Sequence, residues 1–336
     1  MEKLNTHFYI KDARQKLAGR DAHRLAALHT GVTVVAALAV TLLQYALALG
    51  IGKTSGLSGL GTRSILETIQ SVLQFANSVL LPFWSLGFLY AAMQWAGGRD
   101  ARKEDLLTGF RRFGPYLRLL LLRMLIVIAA MVVCGNIAAV VYMMTPASSA
   151  LMEMATTAGG DANALTQMLT QTDGEQMQAI LQSMIPMLVI WGVLCCALLL
   201  PLLYRFRLAE YAILERPGTG ALAAMGISTA LTRRRCLKLL GLDLRLWWYY
   251  ALKGLCMAVC YADLILEAMG VSLPVTGDGA ALITYLLYLA GLFAVETLFR
   301  PQVETAYADA YAAMTAMGPA PGKTPTLPKN VPWDEP

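Results

Sequence analysis

Positive charge is missing from stretches where a soluble protein would scatter it. Residues 144–185 and 273–279 contain no Lys or Arg, and residues 51–68 hold only Lys53 and Arg63. Charge of either sign is scarce, at 15% of 336 residues, and there are only three histidines. His7, His23 and His29 precede or start the first apolar run, and their spacing does not put three ligands on one helix face. Cys256 and Cys260 stand one turn apart and Cys195-Cys196 are adjacent, so neither pair makes a closed zinc set. No Ser-His-Asp arrangement, no His-Glu-x-x-His run and no soluble domain with paired carboxylates is present. Gly56-Leu57-Ser58-Gly59-Leu60-Gly61 follows no strand and is no phosphate loop. We therefore expect no enzymatic activity, no catalytic residues, no metal site and no cofactor. Seven methionines between Met143 and Met184 offer thioethers that suit Cu(I), but flexible apolar packing explains them better. None of the six cysteines falls in the residues lacking positive charge, so no structural disulfide is expected.

Apolar residues are abundant, at 57%. They gather in six runs near residues 28–50, 69–93, 117–143, 186–206, 249–272 and 280–300. Each reaches the roughly 20 residues a helix needs to cross the hydrocarbon core. Of the 27 Lys and Arg residues, all but Lys53, Arg63 and Lys253 lie in alternate connections or at the ends of the runs that border them. A bilayer explains this alternation, because basic loops stay on the cytoplasmic face. The reading is an all-α polytopic bundle of six spans with both termini on the cytoplasmic side. The net charge of +5 is the sum of inner basic clusters and points to no nucleic acid. The basic region of residues 3–24 and the long run behind it do not fit a cleaved signal.

The inner segments carry helical signals. Residues 1–25 read as an amphipathic helix with Ile10, Ala13 and Leu17 on one face and Lys11, Arg14, Lys16 and Arg20 around it, lying along the headgroups. After Gly97-Gly98, Leu106, Leu107, Phe110 and Phe113 recur at the spacing of a second amphipathic helix. The turn Arg216-Pro217-Gly218-Thr219-Gly220 leads to a third, ending near Thr232. Leu80-Leu81-Pro82 and Leu199-Leu200-Pro201 begin similar span–turn–helix–span plans. An internal parallel duplication fits, and so does the ordinary hairpin repetition of a membrane bundle. In residues 145–185, Met177, Ile180, Leu181 and Met184 mark a helix running to Pro186. Residues 318–336, rich in proline, read as a flexible inner tail.

Ionisable groups inside a bilayer are costly and stand out as candidates. Asp263 and, one turn on, Glu267 form an acidic stripe in the fifth run. They fit either a proton or cation path, or, as the blander reading, an outer aqueous dip. Lys253 lies just inside the interfacial cluster Trp247-Trp248-Tyr249-Tyr250. Glu296 enters the sixth run at a similar depth, so a Lys253–Glu296 contact is expected. Arg111, Arg112, Arg233, Arg234, Arg235 and Lys238 make an inner basic belt suited to anionic lipid, or serving topology alone.

Four stretches carry a family likeness. They are Ile10-Lys11-Asp12-Ala13-Arg14-Gln15-Lys16-Leu17-Ala18-Gly19; Asp105-Leu106-Leu107-Thr108-Gly109-Phe110; Tyr204-Arg205-Phe206-Arg207-Leu208-Ala209-Glu210-Tyr211 with Leu239-Leu240-Gly241-Leu242-Asp243; and Arg300-Pro301-Gln302-Val303-Glu304-Thr305-Ala306-Tyr307. Over most of residues 8–314 the chain resembles the bacterial membrane proteins grouped as domain of unknown function 975. It departs from them at Gln302, where the family usually has Tyr, and in the longer segment 145–185. That family is similar to the membrane segment of some glycerophosphodiester phosphodiesterases, whose catalytic domain has no counterpart here. The resemblance implies a membrane bundle and no particular activity. The function expected is a non-catalytic envelope accessory or scaffold, with membrane lipids and a membrane protein as partners. The alternative is a small-solute or lipid-related transporter, hinged at Pro82 and Pro201.

Overall fold

The computed structural model describes residues 6–53, 60–145, 148–149, 174–216, 218–233, 235–262 and 278–318. Every regular element among them is helical. In chain order they are α1 (Thr6–Leu17), α2 (Ala22–Lys53), α3 (Leu60–Ala96), a 3-10 turn (Lys103–Leu107), α4 (Thr108–Arg111) and α5 (Phe113–Met143). There follow α6 (Gly174–Phe206), α7 (Ala209–Glu215), α8 (Ala221–Thr232), α9 (Cys236–Arg245), α10 (Trp247–Cys260) and α11 (Asp278–Ala316).

Five stretches are long and apolar enough to cross a membrane: 22–47, 64–96, 113–143, 184–215 and 282–316. They coincide with five of the six runs seen in the sequence. The remaining run begins as α10, 14 residues long; its continuation, with Asp263 and Glu267, lies outside the described residues. Large apolar side chains on the long helices stay uncovered, Val35 at 66%, Phe75 at 70% and Leu125 at 64% among them. Exposure on that scale suits hydrocarbon and not water. Pro82, Pro186, Pro201 and Pro301 all sit inside continuous helices.

The chain divides into two compact units, residues 1–117 with 208–336, and residues 118–207. In the first, α11 is the central element and packs on α10, α2, α1 and α3. At about 1.5 Å per residue its 39 residues extend about 58 Å, well beyond a ~30 Å hydrocarbon core. Part of it must therefore project beyond the bilayer. Ala22, Ala26, Ala91 and Ala92 are fully buried and let α2 and α3 approach closely around Leu25, Phe88 and Trp95. Farther along, Thr41 donates to the Tyr285 hydroxyl at 2.9 Å, a polar tie between α2 and α11. Leu208 N–H donates to Ser228 Oγ at 3.2 Å, fastening the start of α7 to α8. In the second unit, Ala130, Cys134, Ala138 and Tyr142 recur every four residues and form the buried stripe of α5. Trp191 of α6 lies beside Gly135.

Two segments between the long helices or before them differ from the sequence expectation. The N-terminal helix ends at Leu17, and the spanning helix starts at Ala22 rather than near residue 28. Gly19, at φ +80°, makes the break between them. α1 does not simply lie on headgroups: Tyr9, Ala13 and Leu17 are buried, and the helix packs on α11 and α9. The helix expected over 103–113 is instead a 3-10 turn followed by one α turn. Asp105 accepts from the Arg102 N–H at 2.7 Å, and only Leu106 of the four apolar residues is fully buried. The cause is backbone contact with α3. A Cβ on Gly87 would stand 1.8 Å from Leu106 O, and one on Gly109 would stand 1.9 Å from Phe83 O. The segment lies so flat on α3 that a regular helix cannot fit.

Candidate functional site

Glu296, Arg300 and Glu304 are spaced i, i+4, i+8 along α11 and so share a face. Arg300 reaches both carboxylates, with Nη1 3.4 Å from Glu296 Oε2 and Nε 3.8 Å from Glu304 Oε1. From α10, Lys253 Nζ lies 2.7 Å from Glu296 Oε1, which is the contact their depths suggested. Tyr249, one turn before Lys253, donates its hydroxyl to the same oxygen at 3.0 Å. Glu296 is buried, and both its oxygens are engaged by protein donors.

His29 on α2 completes the cluster. Its Nδ1 is 3.3 Å from Arg300 Nη1, and its Nε2 is 3.3 Å from the Trp84 carbonyl. A carbonyl only accepts and a guanidinium only donates. His29 is therefore the neutral tautomer with its proton on Nε2. Trp84 Nε1–H returns a bond to the His29 carbonyl at 3.0 Å, and the two rings stack at 5.3 Å. Phe88 lies under the Arg300 guanidinium at 4.8 Å, a cation–π contact. Two cations and two carboxylates balance, and four helices meet on them. Charges in such a low-dielectric place persist only when paired and hydrogen-bonded. The cluster is a clamp: both oxygens of Glu296 are engaged by protein cations or donors, and His29 has both ring nitrogens occupied.

A second polar layer lies farther along α11. Lys16 Nζ is 2.7 Å from Asp309 Oδ1 and 2.8 Å from Asp12 Oδ2. Burial works against the Lys16 charge, but those carboxylates outweigh it and hold its pKa above the usual 10.5. Tyr307 and Tyr250 both donate to Asp243 Oδ1.

Of the residues singled out in the sequence, Lys253 and Glu296 are brought together, whereas Asp263, Glu267 and Arg234 lie outside the described residues. The basic belt divides. Arg111, Arg233 and Lys238 are exposed. Arg112 donates to the Ile213 carbonyl near the end of α7, and Arg235 Nη1 reaches Met314 O and Gly318 O at 3.5 and 3.3 Å. Both are therefore occupied at helix C-termini. Arg20 does the same for α3, at 3.2 Å from Trp95 O, 2.9 Å from Gly98 O and 3.2 Å from Arg99 O. Trp84 was not singled out, and His29, Tyr249 and Arg300 were noted only at the start of the first run, in the interfacial cluster and in the family likeness, although the i, i+4, i+8 spacing of Glu296, Arg300 and Glu304 was visible in the sequence. Among the described residues no group of three or more His, Cys, Asp or Glu side chains could hold a metal ion.

No family model, curated protein or solved structure matches the chain. The functional reading rests on the geometry just described.

Proposed function

We propose that the protein is a non-catalytic accessory or scaffold of the bacterial cytoplasmic membrane, related to the proteins of domain of unknown function 975. It crosses the bilayer six times with both ends inside. What supports the even count is parity. Lys16 of α1 and Asp309 of α11 are in contact at 2.7 Å, so the two ends of the spanning region lie on one side. An even number of crossings must separate them, and α10 with residues 263–272 supplies the sixth. The inner face is the cytoplasmic one because it carries the basic segments.

The accessory reading is carried by one observation. Glu296, the buried carboxylate where four helices meet, has each oxygen committed to a protein donor. A transporter cycling protons or cations through such a site needs a carboxylate that can exchange partners. Here the charges fix the helices instead, leaving surfaces and termini for partners. Native mass spectrometry of the protein released in mild detergent tests this. A protein partner retained at fixed stoichiometry is the expected outcome. A chain that carries no protein partner, and that moves a solute across vesicles when reconstituted, would overturn the reading in favour of transport.

A further inference from the structure

A second inner feature has no part in the clamp. α1, α9 and α11 enclose an open pocket of about 550 Å³ lined by His7, Ile10, Lys11, Arg14, Arg245 and Gln302. That volume falls within the roughly 300–1,000 Å³ of small-ligand sites. His7, Ile10, Lys11 and Arg14 follow the i, i+3, i+4, i+7 pattern, so a single face of α1 forms one wall. The opposite face, with Tyr9, Ala13 and Leu17, is spent on packing. Arg245 comes from the end of α9 and Gln302 from α11.

Among the described residues, three full positive charges line the pocket and no carboxylate does. The acids nearby in sequence are committed elsewhere. Asp12 pairs with Lys16, Asp243 accepts from Tyr250 and Tyr307, and Glu304 pairs with Arg300. Lys11, Arg14 and Arg245 have no ion-pair partner among the described residues and repel one another when nothing is bound. The cytoplasmic charge bias accounts for the side on which all three lie but not for their convergence, since Arg245 comes from a distant part of the chain to the same pocket. Two guanidinium forks, an ammonium and a carboxamide provide many donors around one point, the arrangement that recognises phosphate oxygens. Leu244 and Trp247, close to Arg245 in the chain, are 64% and 65% exposed and are apolar surface that acyl chains could cover.

We propose that this pocket binds a phosphate-bearing anion, and that the anion is the headgroup of an acidic phospholipid of the inner leaflet. The site rests on the reading of α1 as a cytoplasmic-face helix. A basic pocket on that face, with exposed apolar side chains close by in the chain, holds a headgroup while the acyl chains stay in the bilayer.

The test is the acetylation rate of Lys11 in the purified full chain, followed by mass spectrometry with Lys103 as the exposed reference. Phosphatidylglycerol in mixed micelles should slow Lys11 about tenfold relative to phosphatidylcholine while sparing Lys103. The R14Q/R245Q variant, which retains Lys11, should lose that protection. The charge-conserving R14K/R245K variant should keep part of it. Protection by millimolar inorganic phosphate as strong as that by phosphatidylglycerol would overturn the lipid assignment and make the site one for free phosphate. No protection of Lys11 by either probe would overturn the site itself. The wild-type measurement decides this even where a variant fails to fold. The result is independent of whether a protein partner is retained.

Discussion

At the level of single residues, the positive charges outside the long apolar runs and near their ends divide into three uses. Arg20, Arg112 and Arg235 place guanidinium groups on carbonyls at or near the C-terminal ends of α3, α7 and α11, where the backbone leaves acceptors unpaired and the helix dipole favours a cation. Lys253 and Arg300 neutralise buried carboxylates. Lys11, Arg14 and Arg245 face an open pocket. Their distribution along the sequence groups these residues, Lys253 apart, in alternate connections or at the run ends that border them but does not tell which use each one serves. Capping and pairing depend on partners tens to hundreds of positions away. Lys253 and Glu296 were legible because their depths match and a lone charge there is costly. Arg300 and His29 were not, since each is satisfied only once α2 and α11 meet. The charge balance gives a testable asymmetry. Lys253→Met leaves one net negative charge and Glu296→Gln one net positive charge. The double variant restores neutrality, with Arg300 still paired to Glu304. Breaking one side of a buried pair costs roughly 3–5 kcal/mol, and the partly exposed Lys253 places its loss toward the lower end. Folded yield in detergent, read by fluorescence-detected size exclusion, should fall more for each single change than for both together. Additive losses would show that the pair is not the clamp.

At the level of elements, the apolar runs located the long helices because a spanning helix must satisfy its backbone internally over a fixed thickness. The bounds moved outward where a helix has packed neighbours beyond the bilayer. α11 continues to Ala316 against α1, and α2 begins at Ala22 beside α3. The short inner segments were less legible, because their shape is set by what they lie on. Apolar spacing over 103–113 suggested one helix, and the backbone of α3 imposed a 3-10 turn instead. Gly87 and Gly109 are the cause of that contact, each standing where a Cβ would collide with backbone of the other segment. Gly87→Ala and Gly109→Ala should therefore each lower thermal stability by an amount equivalent to about 1–3 kcal/mol or more. Gly114→Ala, at a position with nothing within 4 Å of the added carbon, should be nearly neutral. Melting curves of the three variants in the same detergent check this, and equal behaviour at all three positions would mean that the close contact is not what shapes the loop.

For the molecule as a whole, the decisive quantity is the number of crossings, because it fixes which side each surface faces. Five long helices alone would leave the termini on opposite sides. The Lys16–Asp309 contact requires them on the same side. The proposed sixth crossing, assigned to the run that begins as α10, meets that requirement. Two single cysteines separate the alternatives in a background with the six native cysteines replaced. With six crossings, Thr276→Cys reacts with an impermeant maleimide on intact cells and Met317→Cys reacts only after lysis. With five, α10 remains inside, α11 runs outward, and both responses invert. Ser148→Cys and Leu222→Cys serve as outer and inner references under either count. The six-crossing pattern would put the phosphate pocket, the basic belt and both termini on the cytoplasmic side together. The inverted pattern would separate α1 from the end of α11 and remove the physical basis for the Lys16–Asp309 contact and the arrangement built on it.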